Sequence, residues 1–222
     1  MTVPFEVCNV DGNTERLWVI KAETRLEANG RAATVRIRSV AGDDIGVGTG
    51  TVFEYKGRRI VITAAHVVND MTHLLSMETS EDYVPVRMVY IDHRADIAVL
   101  IIPDQVHVRP MKFRPVKEDD LKIGTETIYS GYPNNNHLMT IKGYISSIDP
   151  WGNFYMHSYT WPGASGSSIF DKNGRLMGVL TSVGVGKDVT GAPAAIEDVV
   201  IFTPIWKLNL DLLDTNLRLL DG

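Results

Sequence analysis

What most restricts the fold of this chain is its punctuation. Segments of about four to eight residues rich in Val, Ile, Thr and Tyr recur along it, and most are closed by clusters of Gly, Pro, Asn or Asp. Runs this short suit strands joined by turns far better than packed helices. They predict strands at Ala33–Val40, Gly50–Tyr55, Arg59–Thr63, Val84–Ile91, Ile97–Ile102, Glu126–Gly131, Leu138–Ile148, Asn153–His157, Ser168–Phe170, Leu176–Val183 and Val199–Thr203. Tyr55-Lys56-Gly57 and Asp171-Lys172-Asn173-Gly174 read as hairpin turns. Two stretches break the pattern: Ala64–Asn69, short and apolar after a strand, and residues 204–220, where Leu208, Leu212, Leu213, Leu217 and Leu220 follow helical spacing. The second predicts a C-terminal helix packed on the last strands of an all-β fold. The first thirty residues carry too little pattern to assign and read as an N-terminal extension.

At 222 residues the chain is long enough to bury a core as one unit. A formal net charge of -5 lacks the basic excess of a nucleic-acid-binding surface, so nucleic acid is not an expected partner. Cys8 is the only cysteine, so no intrachain disulfide can form, which fits a reducing compartment. The N-terminal residues show no basic start followed by an apolar run, and no window approaches the roughly 20 apolar residues of a membrane span. The expectation is a cytoplasmic protein, host cytoplasm included, with no membrane contact.

Three segments could carry chemistry. In Trp161-Pro162-Gly163-Ala164-Ser165-Gly166-Ser167-Ser168, Ser165 is flanked by small residues that permit a tight turn, where the backbone N–H groups of Gly163 and Ser165 can converge on a carbonyl oxygen attacked by that serine. Alone, this could be an ordinary glycine-serine turn. In Ile60-Val61-Ile62-Thr63-Ala64-Ala65-His66, a buried strand runs through small residues into His66; imidazole titrates near neutral pH and is the usual base for a serine hydroxyl, although a histidine so placed can also be structural. In Arg94-Ala95-Asp96-Ile97-Ala98-Val99, an acid precedes an apolar run and needs a partner such as a histidine N–H, with Asp92 as the rival and a turn cap as the plain alternative. His73, His93, His107, His137 and His157 lie in polar or loop-like settings and read as surface or hydrogen-bonded residues.

The order His66, Asp96, Ser165 is that of one convergent triad and not of the subtilisin or α/β-hydrolase types. At this point the chain resembles the chymotrypsin-like serine peptidases, most closely the bacterial HtrA-like branch and related viral or phage enzymes. Gly46-Val47-Gly48-Thr49-Gly50-Thr51-Val52-Phe53 is similar to the family's glycine-rich strand before the histidine. Leu121-Lys122-Ile123-Gly124 leads into Gly131-Tyr132-Pro133 as the family's middle turn does, and Gly174-Arg175-Leu176-Met177-Gly178-Val179 follows the serine at the family's distance. The resemblance implies two packed six-stranded antiparallel β-barrels with a C-terminal helix. It places the first barrel at about 33–115, the second at about 120–203 and the helix at about 204–221, after an extension over 1–32. No segment remains for the PDZ domain that HtrA-like enzymes usually append.

The resemblance also implies a serine endopeptidase acting on polypeptides from a cleft between the barrels. Thr181, Ser182 and Val183 would belong to the strand that pairs with the substrate backbone, with the Thr181 hydroxyl bonded to the Asp96 carboxylate. Tyr159 would fall near the base of the primary specificity pocket and Val183 at its wall, favouring a small or medium apolar side chain; no aspartate stands six residues before Ser165 to favour Lys or Arg. The family usually has a second glycine after the nucleophile where this chain has Ser167, and Ala164 replaces the aspartate of the zymogen device. No cofactor or metal is expected, since His-Glu-x-x-His, paired Cys-x-x-Cys, a dinucleotide fingerprint and a P-loop are all missing. The competing reading is a catalytically silent barrel that binds a peptide or partner.

Overall fold

The computed structural model describes residues 2–8, 14–20, 22–41, 43–68, 74–78, 83–103, 106, 108–135, 137–187 and 190–220. The chain begins with β1 (Thr2–Cys8) and β2 (Thr14–Ile20), which pair antiparallel with each other, then α1 (Arg25–Ala33). The first half continues as β3 (Thr34–Ala41), β4 (Asp44–Tyr55), β5 (Arg58–Thr63), α2 (Ala65–Val68), β6 (Leu74–Glu78), β7 (Tyr83–Pro85), β8 (Arg87–Asp92), β9 (Ile97–Ile101) and β10 (Met111–Lys112). The second half contains β11 (Glu126–Gly131), β12 (Met139–Ile148), β13 (Phe154–His157), β14 (Ser168–Phe170), β15 (Leu176–Lys187), β16 (Pro193–Pro204) and α3 (Leu210–Arg218). Among the described residues no helix is long and apolar enough to cross a membrane. His73 and His107 lie outside the described residues.

The second half is a closed six-stranded barrel in the order β11-β12-β13-β16-β15-β14, sealed where Ile128 and Tyr129 pair with Phe170 and Ile169. The first half is an eight-stranded sheet rather than a six-stranded one: its path runs β7-β6-β3-β4-β5-β9-β8, with β10 parallel beside β4. At its centre Ile60, Val61 and Ile62 of β5 are all fully buried, as a continuous apolar run between two neighbouring strands requires. The two-residue β4–β5 turn has positive φ at both Lys56 (48°) and Gly57 (78°), the mirror-image turn that matches strand twist. The two cores meet through Phe53 of β4, whose ring lies 5.9 Å from Phe113 and 6.0 Å from Phe170 of the second barrel.

Helix α3 corrects the expectation that it packs on the last barrel, because it swings back onto the first sheet. Leu213 and Leu217 are buried, Asn216 Nδ2 donates to the Val89 carbonyl at 2.8 Å, and the Asn209 N–H donates to the Tyr90 hydroxyl at 3.3 Å. Asp214 accepts from the Tyr55 hydroxyl at 2.8 Å and pairs with Lys56. A leucine stripe defines a face to be buried but not its partner, and Leu212 of that stripe remains 46% exposed. Helix α1, unassigned from sequence, is closed by a capping box: the Glu27 N–H donates to Thr24 Oγ1 and the Thr24 N–H to Glu27 Oε2. It reaches the second barrel through Lys142–Glu27 at 2.7 Å and through Arg31, which donates to the Leu138 carbonyl at 3.0 Å.

Candidate active site

His66 follows the end of β5 in the first half, and Ser165 stands in the loop between β13 and β14 of the second. β5 ends at Thr63, and two alanines, both buried, lead into the single turn of α2 that carries His66. The imidazole is 47% exposed, whereas Val67 and Val68 beside it are buried and anchor the turn. Asp96 sits just before β9 with φ of +53°, a left-handed conformation that aspartate tolerates better than most residues. From there its carboxylate engages His66 twice: Oδ1 accepts the His66 backbone N–H at 2.9 Å, and Oδ2 lies 2.8 Å from Nδ1. An ionised carboxylate only accepts, so Nδ1 carries the proton and Nε2 keeps its lone pair. Asp92, the rival acid, accepts from the N–H groups of Arg94 (2.8 Å) and Ala95 (3.0 Å) and caps the turn between β8 and β9.

The loop bearing Ser165 is two successive tight turns whose residues are those the turns require. The Ala164 N–H donates to the Trp161 carbonyl at 3.1 Å across Pro162 and Gly163 (φ +99°). The Ser167 N–H then donates to the Ala164 carbonyl at 3.0 Å across Ser165 and Gly166 (φ +89°). Proline second and a positive-φ glycine third is the type II pattern, repeated with Ser165 in the second position. A Cβ on Gly166 would fall 2.1 Å from the Thr49 carbonyl oxygen and 2.2 Å from Thr63 Oγ1, so the loop presses directly on β4 and the end of β5. That contact brings Ser165 to the strand ends that carry His66.

The carbonyls from Pro162 to Ser165 are all held by protein donors. Asn134 N–H donates to Pro162 O at 2.6 Å, Thr49 Oγ1 to Gly163 O at 2.7 Å, and Thr49 N–H to Ser165 O at 2.8 Å. Ala164 O receives both the Ser167 N–H and the Ser167 hydroxyl, the latter at 2.7 Å. A trans amide points its N–H opposite its carbonyl, so with the carbonyls so held the N–H groups of Gly163 and Ser165 face away from these partners. Among the described residues neither N–H is taken by a protein acceptor. Such a pair of fixed donors can bind an oxyanion without reorganising.

The remaining expected residues divide. β15 pairs with β14 only as far as Val179, and Leu180 is held by Ser167 and Gly166; beyond it, Thr181 to Lys187 have β16 on one edge and no strand on the other among the described residues. Thr181 does not bond Asp96 as expected; its hydroxyl donates to the Ile201 carbonyl at 3.3 Å, a neighbour on the paired strand. Ser182 is exposed and Val183 half-buried opposite fully buried Val200. Tyr159, 45% exposed, lines an open groove with Gly186, Lys187, Ala194, Ala195, Ile196 and Asp198, a set that does not include Val183. Tyr129 donates its hydroxyl to the Tyr159 carbonyl, and burial pushes the Tyr129 phenol up to about 12, so it remains a donor at any ordinary pH.

Sequence reasoning missed Thr49, Asn134 and the part played by Ser167. The Gly46–Phe53 motif drew notice for its glycines, yet Thr49, fully buried, is the residue whose N–H and hydroxyl hold the serine loop and whose carbonyl accepts from Thr63 at 2.7 Å. A threonine between two strand glycines, uncalled for by burial alone, was the available signal.

No curated protein sequence matches the chain. Among solved structures, the active form of the Rv3671c protease from M. tuberculosis is similar over 85% of this chain and 82% of its own, at 21% identity and a TM-score of 0.66. A serine endoprotease from Yersinia pestis is similar over 90% of this chain and 68% of its own, at 21% identity and a TM-score of 0.68. The HtrA-type protease AlgW, solved with a tripeptide, matches 86% of this chain and 62% of its own, at 17% identity and a TM-score of 0.67. At these identities the likeness speaks for the fold. A family model of the trypsin-like peptidase domain matches residues 48–179, more than half of the chain and the span from the glycine-rich strand through the serine loop. The chain therefore belongs to the trypsin-like peptidase family, as a serine endopeptidase.

Proposed function

We propose that the chain hydrolyses peptide bonds through an acyl-enzyme, with Ser165 as nucleophile, His66 as general base and Asp96 as the group that orients His66. The observation that carries this reading is the double hold of Asp96 on His66: one oxygen on the backbone N–H and one on Nδ1 leave Nε2 to act as the base. The Ser165 hydroxyl gives its proton to Nε2 as Oγ adds to the substrate carbonyl, and the oxyanion that forms is met by the N–H groups of Gly163 and Ser165. The imidazolium, stabilised by Asp96, then returns the proton to the leaving amine as the C–N bond breaks. Water, deprotonated by His66, attacks the ester and releases the acid and free Ser165.

The substrate is a polypeptide bound as an extra strand on the open edge at Thr181, Ser182 and Val183, where backbone hydrogen bonding gives affinity without reading sequence. Hydrolysis of a fluorogenic peptide mixture by the wild type, Ser165→Ala and His66→Ala tests the reading. Both single variants should fall to nearly the same residual rate and the double variant little further, because the residues act as a unit. Losses that multiply would contradict it, and a wild type without turnover would favour a silent peptide-binding barrel.

A further inference from the structure

We propose that Ser167 is a positioning residue for the oxyanion site, aiming the Ser165 N–H through the carbonyl of Ala164; the inference rests on the assignment of Ser165 as nucleophile. The peptide plane that carries the Ser165 N–H is the one whose carbonyl belongs to Ala164, and in a trans amide the two groups point in opposite directions. Whatever fixes that carbonyl fixes the donor. Ser167 does so twice, with its N–H at 3.0 Å and its hydroxyl at 2.7 Å, occupying both acceptor sites of the oxygen. The side chain is fully buried, so its hydroxyl is committed to this bond and shielded from substrate. A glycine here, as the family usually has, would keep only the first of the two.

The surroundings are shaped for that hydroxyl. A Cβ on Gly131 would lie 2.3 Å from Ser167 Oγ, so the end of β11 leaves free the space the hydroxyl fills. The other donor of the pair is held in the same way but without a side chain, since the Asn134 N–H (residue φ +54°) takes the Pro162 carbonyl of the plane carrying the Gly163 N–H. The loop thus has two carbonyl clamps behind two donors, and in this chain Ser167 supplies a side-chain bond to one of them.

Removing the hydroxyl loosens a donor without deleting it, so the loss must be smaller than the roughly 10²–10³-fold that follows removal of an oxyanion donor. Ser167→Ala should lower kcat, and the rate of acylation by a fluorophosphonate, about tenfold, with KM and the pH midpoint of kcat unchanged. Gly131→Ala should lower kcat as well, by pushing Ser167 Oγ off the Ala164 carbonyl. In the Ser167→Ala background, where the space is vacant, the same substitution should cost little, so the double-mutant cycle is non-additive. Thermal unfolding of all four proteins separates this from a loss of folded enzyme. Ser167→Ala with wild-type kcat, a fall in kcat matched by a shift in KM, or an additive cycle would each overturn the proposal. A wild type inert to the fluorophosphonate would instead sink the assignment of Ser165, and the role of Ser167 with it.

Discussion

Replacing Asp96 with Asn changes one oxygen into NH₂, and the structure says which one. Oδ1 accepts a backbone N–H, a group that cannot become an acceptor, so the amide oxygen must stay on that side. The NH₂ is then forced against His66 Nδ1 at the 2.8 Å now held by Oδ2, and two donors cannot face each other there. The ring responds by moving its proton to Nε2, where it can no longer accept from Ser165. Neither packing nor backbone is disturbed, because Asn is as tolerant as Asp of the φ of +53° at this position. The loss is therefore one of tautomer, about 10⁴-fold in kcat or about 5.5 kcal/mol of barrier. Asp92→Asn, which alters only a turn cap, should change kcat by less than about tenfold and show its effect in stability. The assay is kcat on a cleaved peptide beside thermal unfolding and ¹⁵N NMR of the imidazole. An Asp96→Asn enzyme within tenfold of wild type, or one with the proton still on Nδ1, would refute the reasoning.

Gly166→Ala must place a Cβ against the Thr49 carbonyl and Thr63 Oγ1 at a φ of +89°; it should cost about 3 kcal/mol or more in urea unfolding and displace the serine loop. Retained stability with retained turnover would show that the two halves do not press together at this point. Hydrogen bonds from Lys142 and from the Thr24 backbone hold the Glu27 carboxyl below its usual range. Its stabilisation is complete above the unfolded-state value of about 4.3 and is lost as pH falls through the lower folded value. Glu27→Gln should thus be less stable than wild type by about 1 kcal/mol at neutral pH, and the gap should close under strongly acidic conditions; a gap independent of pH would contradict the assigned cause.

The strands that carry the site were legible because burial writes them plainly. Ile60–Ile62 and Ile97–Leu100 are apolar on both faces, and each runs into or out of a residue of the proposed triad, so His66 and Asp96 could be picked out at the strand ends. The long β15–β16 hairpin was underread, since Gly184, Gly186, Ala194 and Ala195 extend it with residues of weak strand preference. Helix α1 was missed because Gly30 and polar residues break its apolar stripe, although Thr24-x-x-Glu27 announces its start. The partner of α3 and the bond made by Thr181 depend on contacts between segments far apart in sequence, which no local pattern encodes, and the room for the Ser167 hydroxyl comes from distant Gly131 although its bond to Ala164 is local. Ser167 shows the limit: in the sequence it is only a departure from the family's second glycine, whereas in the fold its hydroxyl has a partner at 2.7 Å and fills space that a Cβ on Gly131 would take.

The central claim is that Ser165 is the activated nucleophile, and covalent labelling tests it most directly. Treating the folded wild type and Ser165→Ala with a fluorophosphonate, followed by intact-mass analysis and peptide mapping, should give one phosphonyl adduct per wild-type chain, located on Ser165, and none on the variant. An adduct that persists in Ser165→Ala or maps to Ser167 or Ser168, or a folded wild type that takes up no label, would contradict the account.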